Sequence, residues 1–262
     1  MEQSGATRSQ LALTFTHPGV ADAYQHRPPY PAQVFDLLER LVTDQPRSVL
    51  DLGAGEGAIA RPLAGRVEQV DAVDISPAMI AAGRRRPGGR RPNLRWIAGA
   101  AETAPLDGPY ALVTAGASLH WMAWEPTFSR LLPVLTSHAQ LAIVEQARPD
   151  VPWDAPLRDI IRRHSRSTSY DPGFSLPDEL AARGLLQITG RAATDPVPFR
   201  QSAADYVEQF HSTSSLAREW MTAGEAAAFD QAVMQAVAPH AAGGTVEFAV
   251  VAQLTWGRIS AG

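Results

Sequence analysis

The run Ser48-Val49-Leu50-Asp51-Leu52-Gly53-Ala54-Gly55-Glu56-Gly57 constrains this chain more than any other stretch. It reads as a strand that must turn sharply where it ends. Ser48 to Leu52 is apolar apart from Asp51, as in a short strand buried on both faces. Glycines at 53, 55 and 57 then permit a tight turn and a close backbone approach to a ligand. Ala58 to Ala64 reads as the following helix, with its N-terminus aimed at that ligand. Val70-Asp71-Ala72-Val73-Asp74 reads as the next parallel strand. Asp74 stands about 20 residues beyond Gly53, where a Rossmann-type strand sets an acid against ribose hydroxyls.

The turn alone leaves the ligand open. Gly53 to Ala58 fits the dinucleotide pattern G-x-G-x-x-[G/A], so a nicotinamide-dependent oxidoreductase is one reading. Two acids oppose it. Asp51 sits in the strand end, where a dinucleotide fold usually keeps an apolar residue. Glu56 sits where a pyrophosphate would meet the loop, and a carboxylate there repels phosphate. Both suit a cationic ligand without phosphate, such as S-adenosylmethionine (SAM).

The rest of the chain extends an α/β pattern. Ala32 to Val42 places Val34, Leu37, Leu38 and Leu41 on one helical face. Strand and helix then alternate over 48–52, 57–65, 69–74 and 77–86, with Ser76 as a helix cap before Pro77. Further strands are expected at Asn93–Ala98, Tyr110–Ala115 and Gln140–Glu145, with a helix at Phe128–Leu135. This alternation implies a parallel sheet with right-handed crossovers. Beyond Gln146, prolines 149, 152 and 156 break the pattern, and helices are expected at 155–166, 177–183, 203–210 and 224–237. A strand is expected within Leu186–Phe199. Val246, Phe248, Val250, Ala252, Leu254 and Trp256 alternate as one long final strand.

Four segments, in order over roughly residues 45 to 145, carry a family resemblance. Val49–Gly57 resembles motif I of the class I SAM-dependent methyltransferases, and Val70–Ser76 the acidic loop that follows it. Gly99-Ala100-Ala101-Glu102-Thr103-Ala104-Pro105-Leu106 resembles the segment bordering adenine. Tyr110 to Met122, with its Leu119-His120-Trp121 triplet, resembles the motif IV strand and its continuation. The resemblance implies a Rossmann-like, seven-stranded, mostly parallel sheet with the last strand antiparallel beside the fifth. Helices would cover both faces, and a helical cap would be inserted late in the chain. It also implies a division into 1–44 (lid and first helix), 45–148 (SAM-binding core), 149–243 (cap with strand six) and 244–262 (final strand).

By the same resemblance, SAM is held by Arg27, Asp51, Gly53, Ala54, Gly55, Asp74, Ile75, Met79, Ala101, Glu102, Ala115 and Gly116. Asp74 takes the ribose hydroxyls. Arg27, in Tyr24-x-x-Arg27-Pro28-x-Tyr30-Pro31, pairs with the methionine carboxylate. Tyr24 borders the methyl group, and His120 is either a general base or a packing residue beneath the SAM site. Tyr30, Trp121, Trp124 and Trp153 are candidate substrate-lining residues. Large aromatics are also common in cores, and Tyr30 suits a packed turn.

Composition closes off several classes. There is no cysteine, which excludes disulfides, thiolate zinc sites and a cysteine nucleophile. All 23 basic residues are arginines, so no lysine serves as base or Schiff-base former. The seven histidines show no close metal-ligand spacing, so no metal is expected. The net charge of −4 gives no global field toward nucleic acid or an anionic membrane. Arg84-Arg85-Arg86-Pro87-Gly88-Gly89-Arg90-Arg91 reads first as a solvated helix end, because arginine complements the helix dipole there, with RNA or a phosphorylated substrate as the other reading. No apolar run approaches membrane-spanning length, and Met1–Gln10 lacks a signal-peptide core. The expectation is a cytoplasmic enzyme, monomeric or homodimeric, methylating a small molecule without nucleic-acid or membrane partners. The GC-rich codon usage of its commonest residues suggests bacterial secondary metabolism. A SAM-fold enzyme of cyclase type stays open beside it, because binding residues do not report which bond changes.

Overall fold

The structure, a computed structural model, describes residues 13–147, 150–167 and 173–260. The readings of Met1–Gln10 as leaderless and of Pro149 as a breaker lie outside the described residues. The strands in chain order are β1 Ser48–Leu52, β2 Gln69–Asp74, β3 Leu94–Ala98, β4 Tyr110–Gly116, β5 Leu135–Gln146, β6 Leu186–Ala193, β7 Val197–Ser202, β8 Thr245–Val250 and β9 Ala252–Ile259. The chain forms two compact units that interleave along the sequence. The blocks 1–44, 45–148, 149–243 and 244–262 expected from sequence do not coincide with them.

One unit comprises Tyr30–Ala147, Gly173–Asp195 and Val251–Gly262. It holds a seven-stranded sheet in the order β3-β2-β1-β4-β5-β9-β6. β3, β2, β1, β4 and β5 are parallel, and β9 runs antiparallel to both β5 and β6. This is the expected α/β class with an antiparallel last strand. Every residue of β1 is buried, which explains its nearly unbroken apolar sequence. Apolar side chains cover both faces: Val49, Val70, Leu112 and Val144 belong to one core cluster, and Leu50, Leu52, Val113 and Ile143 to the other. The helix Ala32–Leu41 buries Val34, Phe35 and Leu38. The helix Pro77–Arg85 begins where expected, with the Ser76 side chain accepting from the Met79 N–H at 3.2 Å. The helix after the glycine turn is shorter than expected, a single turn over Ala60–Leu63. Three left-handed glycines keep the preceding residues in turns.

The other unit comprises Met1–Pro29, Arg148–Pro172 and Pro196–Val250. Its helices Asp154–His164, Ala203–Glu208 and Ala223–Val237 stand with the antiparallel pair β7–β8. Trp153, Leu157, Tyr206, Phe229 and Val246 form its core. Thr222 and Glu225 make a reciprocal capping box at the start of the longest helix. The expected single strand from Val246 to Trp256 is therefore two strands in two sheets. Alternation survives the break, since Val246, Phe248, Val250, Ala252 and Leu254 are all buried, and this is why the sequence pattern hides it. Among the described residues no helix is long and apolar enough to cross a membrane.

Candidate functional site

In the sheet unit, strand order reverses between β1 and β4, the position at which open α/β sheets leave a crevice at the carboxyl ends of their strands. The acids and glycines expected from sequence converge there. β1 delivers Asp51 and the turn Gly53-Ala54-Gly55, β2 delivers Asp74, and β4 delivers Ala115 and Gly116. Gly53, Gly55 and Gly57 have φ of +64°, +57° and +79°, the left-handed region that favours glycine. A Cβ on Gly53 would lie 2.5 Å from the Ser118 Cβ, and one on Gly57 would meet the Trp96 ring at 2.5 Å. The need for glycine thus comes from the backbone turn and from neighbouring side chains. Clearance for a ligand is not required to explain it.

Asp51 is buried, and its register partner on β4 is Thr114. The Thr114 hydroxyl donates to Asp51 Oδ1 at 2.7 Å, while Oδ2 has no hydrogen-bond partner. Burial pushes the Asp51 carboxyl up to about 7, against the pull of the Thr114 hydrogen bond and the nearby Ala60 backbone amide, and the nearby Asp74 charge adds to the rise. Asp74 is also buried, with Oδ2 accepting from Gly55 N–H and Oδ1 from Ser76 N–H, both at 2.7 Å. Desolvation outweighs those bonds and raises its carboxyl too. A carboxylate oxygen can accept more than one donor, so both Asp74 oxygens keep lone pairs for a hydroxyl. Ile75, the next residue, is an exposed large apolar side chain.

Around the end of β4 the chain is tightly constrained. Ala117 adopts φ +49°, and its N–H donates to Val144 O at 3.0 Å. Ser118 Oγ donates to Leu52 O at 2.6 Å, tying this bend to β1. A Cβ on Gly116 would lie 3.0 Å from the Tyr30 hydroxyl, so Tyr30 reaches the carboxyl end of β4. His120 and Trp121 follow in a short helical turn, with ring centroids 4.6 Å apart. Sequence reasoning passed over Thr114, Ser118 and Glu145. A threonine inside an apolar strand was a signal for the first. Glu145, half-buried near the end of β5, has its carboxyl raised by burial.

Several expected site residues have other work. Met79 is fully buried. Glu102 spends Oε1 on the Ala123 N–H at 2.8 Å, at the start of the helix Trp124–Leu131. Ala101 and Trp124 belong to the hydrophobic core, and the Trp124 indole N–H donates to Leu119 O at 2.9 Å. Trp153 is core to the other unit, with its indole N–H on the Tyr206 hydroxyl at 2.8 Å. Both Trp124 and Trp153 are buried in core clusters with their indole N–H groups satisfied, which suits a packing role. Tyr24 and Arg27 lie in that second unit as well. There the Arg27 guanidinium stacks on Tyr24 at 4.0 Å, with Nε on Ser212 Oγ at 2.6 Å and Nη2 on Ser212 O at 3.0 Å. Glu56 also requires correction: its carboxylate pairs with Arg86 at 3.0 Å and Arg61 at 3.6 Å. Its charge is largely compensated, so it gives little argument against a phosphate ligand; Asp51 retains that role.

Residues 49–138 match the family model of a methyltransferase domain. The chain is 35% identical over 141 residues to trans-aconitate 2-methyltransferase of Mycobacterium sp. strain KMS, covering 53% of this chain and 52% of that one. It is 40% identical over 149 residues to malonyl-[acyl-carrier protein] O-methyltransferase of Halorhodospira halophila, covering 52% and 50%. The chain thus spans about half the length of these curated relatives. An uncharacterized methyltransferase of Mycobacterium tuberculosis is 31% identical over 225 residues, covering 79% of this chain and 89% of its own. Among solved structures, a candidate type II methyltransferase from Anaeromyxobacter dehalogenans superposes with TM-score 0.64 at 21% identity, covering 88% of this chain and 97% of that one. A SAM-dependent methyltransferase from Geobacter sulfurreducens in complex with S-adenosyl-L-homocysteine gives TM-score 0.52 at 17% identity, covering 88% and 92%. These two share the fold. With the strand order, the glycine turn and the paired acids in place, the chain belongs to the class I SAM-dependent methyltransferase family.

Proposed function

We propose that this chain transfers a methyl group from SAM to a small-molecule acceptor. One observation carries the reading: a buried carboxylate oxygen, Asp51 Oδ2, has no hydrogen-bond partner and stands near a second buried acid at the sheet's switch point. A buried acid without a counter-charge is costly, and a cationic ligand with hydroxyls would satisfy both acids at once. SAM has that chemistry, with an ammonium, a sulfonium and two ribose hydroxyls. Asp51 would hold the cationic methionine end and Asp74 the ribose. Adenine would cover the exposed Ile75. Gly53, Ala54, Gly55, Ala115 and Gly116 would form the backbone wall. The S-adenosyl-L-homocysteine in the Geobacter sulfurreducens neighbour agrees with this ligand class.

SAM supplies a methyl group on a sulfonium, whose neutral leaving group makes displacement intrinsically easy. The protein's contribution is alignment, which supplies about 7–11 kcal/mol in favourable cases, and exclusion of water from the nucleophile. Tyr30 and Trp121 would orient the acceptor, and His120 would accept its proton if the acceptor arrives protonated. Trans-aconitate and a malonyl thioester, named by the two half-length relatives, are the acceptors to assay first. A cytoplasmic role in bacterial secondary metabolism belongs to the same proposal.

Calorimetric titration with SAM, S-adenosylhomocysteine and NAD tests the ligand. Binding of the first two and not of NAD is expected, and binding of NAD alone overturns the reading. His120→Ala separates base from packing residue. A fall in turnover with unchanged SAM affinity marks a base, whereas a fall in SAM affinity marks a structural residue.

A further inference from the structure

Many of the described arginines have carboxylate partners. Arg66 pairs with Asp36, Arg183 with Glu179, Arg200 with Glu247 and Arg218 with Glu208. In one cluster such pairs are rare and the cations lie together. In the sheet unit, Arg84, Arg85, Arg86, Gly88, Arg90 and Arg91 line a surface pocket of about 410 Å³. Of its five arginines, only Arg86 forms an ion pair among the described residues, with Glu56 at 3.0 Å. The other four are exposed.

The pocket is built by required backbone geometry. Arg84 and Arg85 end the helix Pro77–Arg85, where cations complement the dipole. That accounts for two of the five. Gly88 has φ +79°, and a Cβ on Gly89 would lie 1.9 Å from the Gly83 carbonyl oxygen, so only glycine permits the chain to fold back on the helix end. The Trp96 indole N–H holds this turn by donating to Gly89 O at 2.9 Å. The reversal brings Arg90 back, with Nε donating to Arg84 O at 3.3 Å. Four like charges without counter-ions repel one another, and the fold gathers them instead of spreading them.

We infer that this pocket binds a compact oligophosphate, such as free pyrophosphate or triphosphate or the phosphate chain of a nucleotide. Guanidinium groups match phosphate oxygens in bidentate geometry, and several in one concavity suit a ligand with several adjacent anionic groups. The pocket's lining contains no aromatic side chain, so it offers no stacking platform for the bases of a single-stranded nucleic acid. The helix Pro77–Arg85 separates the pocket from Asp74, because that acid lies at the helix's opposite end. The site is thus distinct from the proposed SAM site. Arg86 links the two regions, because its partner Glu56 lies within the glycine turn. An anion drawing on Arg86 competes with Glu56.

Calorimetric titration of the full chain with tripolyphosphate, pyrophosphate, sulfate, ADP and a single-stranded oligonucleotide, at a constant ionic strength of about 0.15 M, tests this. Saturable one-to-one binding is expected, with tripolyphosphate tightest and sulfate weakest. The double variant Arg85→Gln/Arg90→Gln should weaken it about tenfold or more, because it removes two charge-assisted hydrogen bonds to phosphate. An unchanged circular dichroism spectrum and unchanged SAM affinity in that variant show that the fold persists. ADP binding more tightly than pyrophosphate makes a nucleotide the source, and equal affinity makes it the phosphate chain alone; either supports the site. No saturable binding of tripolyphosphate, undiminished binding in the variant, or binding of the oligonucleotide alone overturns it.

Discussion

Two neighbouring strands of the sheet treat a buried acid in opposite ways, Asp71 on β2 and Asp51 on β1, one register step apart. Asp71 is enclosed by donors: Arg95 Nη2 at 2.5 Å and Nε at 2.9 Å, and the Tyr110 hydroxyl at 2.5 Å. Arg95 also pairs with Asp107. Burial pushes the Asp71 carboxyl up, but the bonds from Arg95, Tyr110 and Gln69 win and hold it below the usual carboxylate range. Tyr110 in turn is pushed up to about 12, by burial and by its bond to Asp71. Asp51 has one threonine hydroxyl and an oxygen with no hydrogen-bond partner, and burial wins. Fuller desolvation and fewer donors at Asp51 together set the difference. Asp71 belongs to a finished structural network, and Asp51 is the acid whose partner we propose to be SAM.

The largest expected effect is Asp51→Asn. A carboxyl at about 7 in the folded state stays protonated while its unfolded counterpart ionises near 4. Its contribution to stability is therefore full at low pH and is lost as pH rises from about 4 to 7. Removing the charge should raise stability at pH 8 by something on the order of a few kcal/mol. It should also flatten this part of the pH profile relative to wild type, read by urea unfolding across pH. In the same variant SAM affinity should fall, and its rise with pH through about 7 should disappear. Unchanged affinity would remove Asp51 from the site and collapse the contrast between the two acids.

Asp74→Ala comes next. It deletes the carboxylate proposed for the ribose, whose Oδ2 accepts from Gly55 N–H and Oδ1 from Ser76 N–H. A charge-assisted interaction of this kind contributes about 1.5–3 kcal/mol, read as weakened SAM binding in calorimetry. Asp71→Asn is the counterpart on β2. It should cost about 1–3 kcal/mol of stability, because the buried network loses its charge, and leave SAM affinity alone. The half-exposed Arg95 tempers that loss, since water can solvate it. Here the sign reverses: a depressed carboxyl stabilises above the ordinary carboxylate range, and the benefit fades as pH drops below about 4. Wild type and Asp71→Asn should therefore converge in acid, while wild type and Asp51→Asn diverge toward neutral pH.

The sequence exposed these acids unequally. Asp51 and Asp74 were legible because each is an acid inside an apolar run beside a glycine turn, a local anomaly. Asp71 is equally anomalous in its strand, but its partners Arg95 and Tyr110, and Asp107 beyond Arg95, come from β3, β4 and the connection between them. Pairing across parallel strands leaves no local spacing to read. The same limit applies to the break at Val251. Buried alternation runs straight through it, so nothing in the pattern marks where the chain leaves one sheet for another. Trp124 and Trp153 illustrate a different gap: an aromatic near a predicted crevice looks the same in sequence whether it lines the crevice or supports it from below. Which side it takes depends on the tertiary packing around the ring, which the sequence does not spell out.

The smallest expected effect concerns backbone and not charge. Among the described residues, Ala117 is the one non-glycine residue with positive φ, and it lies at the carboxyl end of β4. That conformation costs a side-chain-bearing residue about 1–2 kcal/mol. Glycine would relieve the cost and return part of it through greater freedom in the unfolded chain. Ala117→Gly should therefore gain about 0.5 kcal/mol, seen as a small rise in urea midpoint at unchanged slope. Strain held at a functional site persists because neighbours over-determine it, here the Ala117 N–H on Val144 O and the Ser118 hydroxyl on Leu52 O. If the strain serves to aim the His120 turn, the more stable variant will turn over more slowly with SAM affinity retained. A gain in stability with no loss of turnover would make Ala117 a steric accident of the bend, and would confine the functional asymmetry of the sheet to its two carboxylates.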